Sequence, residues 1–248
     1  GYSVSQDYDY NGWLSGSLTI PTSFVDKPVK TVGYGAFKEC NSLKSVIVPE
    51  GIINVEGSAF ADCGSLTVVT LPSSLKNVGD GAFNNCPIEQ ATIPGFAVWD
   101  IPGEKLKNVK IINGDYIGNN TFYNYGNLNS ITLADSIRSI GESAFEGCGN
   151  LRGITLPDRV SSIGESAFKD CSNLSAVTLG NSLTQIAKSA FENCVSLTSI
   201  TLPDGVTTIG ESAFYNCNSL TDIDLPDKVM NIEKNTFYGC NSLTTVNI

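Results

Sequence analysis

The strongest constraint on how this chain can fold is a sequence repeat with a period of 23 residues. In chains with a fixed period of this size, each repeat is a small structural unit that buries its apolar residues against its neighbours. Each repeat is therefore predicted to form one coil of a solenoid. A phenylalanine anchors the repeat in two series, Phe37, Phe60 and Phe83, and then Phe122, Phe145, Phe168, Phe191, Phe214 and Phe237.

The residues after each anchor predict a short strand. A cysteine comes three residues later, except where Tyr125 replaces it, and a leucine commonly comes six residues later. Apolar residues nine and eleven positions after the anchor, such as Ile154 and Leu156, alternate with an outward residue such as Thr155. This alternation is typical of a strand with one buried face. Proline often follows directly, as at Pro157, and ends the strand because it has no N–H to donate.

Each coil must also turn back on the side opposite its strand. In segment 210–214, which reads Gly-Glu-Ser-Ala-Phe, serine or glutamate is suited to cap one short helical turn. The sequence therefore predicts short helical turns or loops at this position of each coil. The strands of successive coils are predicted to pair as one parallel sheet, which gives a mostly β fold.

The full repeat resembles a known family. It reads Ile-Gly-x-x-Ala-Phe-x-x-Cys-x-x-Leu-x-x-Ile-x-Leu-Pro over most of residues 18–248, and is similar to the BspA-like class of leucine-rich repeat. The resemblance implies a leucine-rich repeat solenoid of the α/β class, with about ten coils, one parallel sheet and short helical turns or loops opposite. It also implies a bacterial surface or secreted protein with a role in adhesion, and no catalytic residues.

The repeat predicts a single solenoid domain over residues 1–248 with irregular places. Residues 1–17 are predicted to form an N-terminal cap, and a five-residue expansion lies before Val29. Residues 95–105 are predicted to form an irregular aromatic loop, because they belong to a shortened coil that lacks the phenylalanine and cysteine of the repeat. The last coil, which ends at 248, is predicted to be open because the sequence stops within a strand.

Charge and residue types disfavour several functions. The chain has 15 basic and 25 acidic residues, a formal net charge of −10, and no histidine. Without imidazole the usual serine and cysteine triads cannot form, and a strongly acidic chain is not expected to bind nucleic acid. No apolar run approaches the about 20 residues that cross a bilayer, so we expect no membrane insertion by this segment.

The eight cysteines are predicted to be buried free thiols. All eight stand at the same position of successive coils, three residues after an anchor, so their Cβ vectors run parallel rather than converging as a disulfide requires. Closely spaced ligand pairs of the kind that bind structural zinc do not occur. We therefore predict no metal site and no cofactor.

The outward face of the predicted strands and the aromatic loop are the candidate binding surfaces. Phe96 and Trp99 provide aromatic anchors, and Lys110 provides a charge. Asp224 lies in an acidic C-terminal region with Asp222 and Asp227, where a calcium site is disfavoured because successive strand positions alternate faces and the carboxylates need not converge. Threonine otherwise dominates the outward row and also suits any exposed strand. The candidate partner-binding residues are Phe96, Trp99, Lys110, Thr132, Thr155, Thr178, Thr201 and Asp224.

Three functions are compatible with this sequence. The leading prediction is a non-enzymatic, extracellular or cell-surface binding module that recognises a protein or glycoconjugate on a host or bacterial surface. The alternative is a structural spacer, or a protein that associates weakly with itself through its open C-terminal coil. A hydrolase acting on surface glycans rests only on the abundance of acidic residues.

Overall fold

The computed structural model describes residues 2–4 and 15–247. The chain divides into two compact units, Gly1–Ile112 and Asn113–Ile248. Most of the predicted cap, and residue 248 of the predicted open coil, lie outside the described residues. The single domain over 1–248 stays a prediction. In the part of the chain that is described, no helix is long and apolar enough to cross a membrane.

The first unit carries two sheets. Its strands are β1 (Tyr2–Val4), β2 (Gly16–Thr19), β3 (Ser23–Phe24), β4 (Lys27–Val32), β5 (Leu43–Ile47), β6 (Asn54–Val55), β7 (Val68–Thr70), β8 (Asn77–Val78), β9 (Gln90–Ile93) and β10 (Asn108–Ile111). The longer strands pair in parallel in the order β10-β9-β7-β5-β2, and we call this the long sheet. The shorter strands pair in parallel in the order β1-β4-β6-β8, and we call this the short sheet.

The second unit repeats this arrangement. Its strands are β11 (Tyr116–Ile117), β12 (Ser130–Thr132), β13 (Ser139–Ile140), β14 (Gly153–Thr155), β15 (Ser162–Ile163), β16 (Ala176–Thr178), β17 (Gln185–Ile186), β18 (Thr208–Ile209), β19 (Asp222–Asp224) and β20 (Thr245–Asn247). The two-residue strands pair in parallel in the order β11-β13-β15-β17-β18. On the other sheet β14 pairs with β16 and β19 with β20, while isolated bridges at Ser199 connect β16 to β19.

The five-residue expansion before Val29 forms a hairpin. Strands β3 and β4 pair antiparallel, with Phe24 opposite Lys27. Between them Val25 and Asp26 both have positive φ angles, of 47° and 58°, as a two-residue hairpin turn of type I′ requires. The extra residues therefore form an exposed hairpin.

Stacked phenylalanine rings form the centre of each unit. Phe168 lies between Phe145 and Phe191, with ring centroids 5.2 and 5.3 Å away and planes within about 5° of parallel. The backbone reinforces the stack, because the Phe168 N–H donates to the Ala190 carbonyl of the next coil at 2.8 Å. In the first unit Phe37, Phe60 and Phe83 stack in the same way. Neighbouring coils are therefore aligned with each other at the anchor position.

The eight cysteines are free thiols, of which seven are buried as predicted and Cys240 is half-buried. The Cys194 thiol donates to the Phe168 carbonyl at 3.2 Å, and burial raises the Cys194 pKa well above its ordinary value. Tyr125, which replaces one cysteine, packs edge-on against Phe122. The same bond to the phenylalanine 26 residues earlier is made by Cys63, Cys86, Cys148, Cys171, Cys217 and Cys240.

Turns rather than helices surround the anchor. Ser166 and Asp170, two residues on either side of Phe168, both have left-handed backbones with φ angles of 54° and 60°. Polar residues with short side chains tolerate this conformation better than β-branched ones. Gly164 is needed for a different reason, because a Cβ at this position would lie 2.7 Å from the backbone nitrogen of Glu142 in the preceding coil. The Gly-Glu-Ser-Ala-Phe pattern therefore specifies a turn that lets adjacent coils approach closely.

We predict that Phe168→Ala lowers the free energy of unfolding by about 3 to 5 kcal/mol, because it removes a ring from between two others and leaves a cavity. Chemical denaturation followed by circular dichroism measures the loss. The control is Tyr116→Ala, at an exposed side chain, which we expect to change stability far less. A loss below about 1 kcal/mol for Phe168→Ala would contradict stacked coils as the source of stability.

Candidate functional site

The outward row of the long sheet in the first unit is in register. Ile47 pairs with Thr70, Thr70 with Thr92, and Thr92 with Lys110. Neighbouring residues on these strands point inward, since Val46 and Val109 are buried. Lys110 is exposed, so the structure places this predicted site residue at the end of a row whose other members are uncharged.

The second unit presents the predicted threonines on one exposed surface. Thr155 pairs with Thr178, and both are exposed. The small residues Gly153 and Ala176 lie beside them and leave a shallow depression of about 320 Å³, which Thr132 also lines. Thr132, Thr155 and Thr178 therefore come together, as the repeat predicts. Thr201 is exposed as well, after the bridged residue Ser199.

Asp224 lies in a separate acidic depression of about 370 Å³. Asp204, Asp227 and Lys228 also line it. The Asp224 carboxylate accepts a hydrogen bond from the Asn247 side chain of the next strand. Among residues 2–4 and 15–247, no group of three or more Cys, Asp or Glu side chains is arranged to hold a metal ion.

The aromatic loop predicted at 95–105 contains a short 3-10 helix, Gly95–Asp100, which we call η1. Ala97 and Val98 are buried and anchor η1, which packs against β8 of the short sheet. Phe96 and Trp99 remain 47% and 64% exposed. Side chains three residues apart eclipse each other on a 3-10 helix, so these two rings lie along one edge of η1. We call them the aromatic patch.

Lys110 and the aromatic patch lie on different elements. The patch belongs to η1, which packs against β8 of the short sheet, whereas Lys110 belongs to β10 of the long sheet. Near Lys110 in the sequence, Lys107 forms an ion pair with Glu89 at 2.8 Å. The joint role of Phe96, Trp99 and Lys110 in binding stays a prediction.

The structure adds two residues that the sequence did not single out. Asp100, the last residue of η1, is half-buried, and burial together with the nearby charge of Asp80 raises its pKa to about 6. Asp80 is exposed on the turn before Phe83. Asp100 directly follows Trp99, and Asp80 comes two residues after β8, the strand against which η1 packs; we call these two carboxylates the acidic pair. The only feature of the sequence that could have pointed to Asp100 was its position directly after Trp99 in a shortened coil.

A comparison with protein families decides the classification. The family model described as the BspA type leucine-rich repeat region matches residues 30–113 and 115–244. The chain belongs to the BspA type leucine-rich repeat family. The predicted family and fold class are thereby confirmed, with about ten turns of roughly 23 residues, parallel sheets and very little helix.

Several solved structures similar to this BspA type chain come from bacteria. The leucine-rich repeat protein of T. pallidum is 29% identical with a TM-score of 0.53, over 66% of this chain and 71% of that one. A leucine-rich cell surface protein from Faecalibacterium prausnitzii is 22% identical with a TM-score of 0.37, over 95% and 88% of the two chains. The pneumococcal vaccine antigen PcpA is 16% identical with a TM-score of 0.44, over 98% and 80%. No curated protein matches the sequence.

We predict that Asp100→Asn stabilises the protein at neutral pH. Because folding raises this pKa to about 6, the wild type is most stable below the ordinary aspartate pKa and loses that stability as the pH rises through 6. Asparagine removes the charge, so the gain is about 1 kcal/mol at pH near 7.5 after allowance for solvent screening, and nearly zero at pH near 4. Thermal unfolding at both pH values measures it.

The matched control is Asp135→Asn, at an exposed aspartate of the second unit. We expect no pH-dependent difference between this variant and the wild type. Equal effects of the two substitutions at neutral pH would contradict a specific penalty at Asp100 and indicate only the reduction in net charge.

Proposed function

We propose that this BspA type chain is a non-enzymatic binding module, adhesion-like, that recognises a macromolecule on a host or bacterial surface. The observation that carries the proposal is the contrast between the two sides of its strands. Inward positions stay apolar and buried from coil to coil, as at Val46, Val69 and Val109, whereas the register-matched outward row, which is mostly threonine, also carries Ile47 and Lys110. Packing explains the constant positions, and an exposed platform with varied side chains is suited to binding a partner.

The location that we propose is outside the cell or at its surface. Support comes from membership of the BspA type family, together with the resemblance that links this repeat to surface and secreted proteins. The partner that we propose is a protein or a glycoconjugate on such a surface.

Two surfaces carry the binding in this proposal. The first is η1 with its aromatic patch, because large exposed aromatic rings are among the residue types that dominate binding energy at interfaces. In this proposal the exposed charge of Lys110, on the long sheet, contributes to binding the same partner. The second is the depression between Thr132, Thr155 and Thr178. Exposed hydroxyl groups and uncovered backbone in this depression provide hydrogen-bonding groups for a partner.

A binding screen tests the proposal, using an array of matrix proteins, mucins, glycans and bacterial surface fractions. We expect the wild type to bind at least one, and the double variant Trp99→Ala/Lys110→Ala to bind it about ten-fold more weakly or not at all, because the variant lacks an aromatic anchor and a charge. Surface plasmon resonance measures the affinities. The double variant Thr155→Lys/Thr178→Lys tests the role of the depression in the same binding measurement.

The control for the screen is Tyr116→Ala/Lys234→Ala, which removes an exposed aromatic ring and an exposed lysine from the second unit. We expect it to bind like the wild type. A partner whose binding is unaffected by all of these changes would contradict both site assignments. Cleavage of an arrayed glycan, or the absence of any partner, would contradict the proposal of a binding module.

A further inference from the structure

The η1 surface, which we define as Phe96, Trp99, Asp80 and Asp100, combines exposed aromatic rings with negative charge. The two rings lie along one edge of η1, and Trp99 is the more exposed of the two. Asp100 is the next residue after Trp99 and is partly withdrawn from solvent. The face of an indole ring attracts cations because its quadrupole is negative there.

The acidic pair has no cation of its own. Among the described residues no lysine or arginine forms an ion pair with Asp80 or Asp100, while Lys107 is already paired with Glu89. Burial of Asp100 and its closeness to Asp80 both disfavour the ionised form. A positive group placed between the carboxylates offsets their repulsion, so the surface gains more from a cation than separate carboxylates would.

We propose that the η1 surface binds a basic segment of a partner protein, with an arginine or lysine side chain over Trp99 and its charge next to Asp80 and Asp100. This inference rests on the proposed binding function and specifies the chemistry of the partner. Charge complementarity favours a basic partner over an acidic or a purely apolar one. An acidic partner meets like charge, and a purely apolar partner removes water from Asp100 without providing a compensating bond.

Arginine suits this surface better than lysine. Its planar guanidinium group stacks on an aromatic ring and still directs N–H groups to neighbouring carboxylates, which a compact ammonium group does less well. The partner segment is therefore expected to contain arginine. Phe96 extends the apolar contact along the same edge of η1, where the aliphatic part of the arginine side chain or a neighbouring apolar residue packs.

The probe for this inference is a fluorescein-labelled octapeptide rich in arginine, with the same peptide carrying citrulline in place of arginine as its neutral counterpart. Fluorescence anisotropy measures the affinity of the full chain for each. We expect Asp80→Asn/Asp100→Asn and Trp99→Ala each to weaken binding of the arginine peptide by about ten-fold. The citrulline peptide should bind weakly to the wild type and show no difference between variants.

Matched controls separate a specific surface from general attraction to an acidic chain. Asp204→Asn/Asp227→Asn removes the same charge from the acidic depression of the second unit, and Tyr116→Ala removes an exposed ring elsewhere. We expect neither to change the affinity by more than about two-fold. Equal weakening by the two acidic variants, or no weakening by Trp99→Ala, would overturn the inference.

The outcome for this inference is distinguishable from the outcome for the proposed function. A partner found in the binding screen that binds the wild type and Asp80→Asn/Asp100→Asn equally well would overturn the basic-partner inference and leave the binding module standing. A partner that loses affinity for the Asn variant and contains an arginine-rich segment supports both. Failure of every arrayed partner contradicts the proposed function independently of the peptide result.

Discussion

Stacking of one phenylalanine ring on the next is the interaction on which both units depend. Phe168 contacts a ring on each face, its N–H donates to the following coil, and its carbonyl accepts the Cys194 thiol. A single residue thus joins three coils through apolar contact and two hydrogen bonds. Because an isolated coil has nothing to stack on, stability must arise between coils and not within them. This explains why the anchor and its cysteine recur at a fixed period.

The inward half of the structure could be predicted from the sequence because it obeys the period. Ile154 and Leu156 are buried and Thr155 is exposed, as alternation requires. The turns were harder to predict from the sequence. Ser166 and Asp170 take left-handed backbones, and a pattern that contains serine and glutamate before alanine also suits a helix cap. Hydrogen bonds between turns of successive coils decide in favour of the turn, and a single repeat cannot show those bonds.

The candidate site could be predicted only in part. The sequence identified Phe96 and Trp99 by their departure from the repeat, and the threonines by their place on the strands. It did not identify Asp80 as a neighbour of Asp100. The coil that contains Asp100 is shortened, so the 23-residue period does not predict which residues are in contact there. The grouping of Lys110 with the aromatic loop came from closeness along the chain and stays a prediction; η1 packs against the short sheet, and Lys110 lies on β10 of the long sheet. Where the period fails, adjacency depends on tertiary packing.

We propose that the regular coils build the scaffold and that the irregular coil around η1 recognises the partner. Hydrogen–deuterium exchange of the whole chain, with and without the arginine-rich peptide, tests this division because it measures every segment at once. We expect slower exchange on peptide binding in 95–101 and 79–81, and unchanged exchange in the regular coils, including 153–178. Slower exchange in the regular coils with no change in η1 would contradict it.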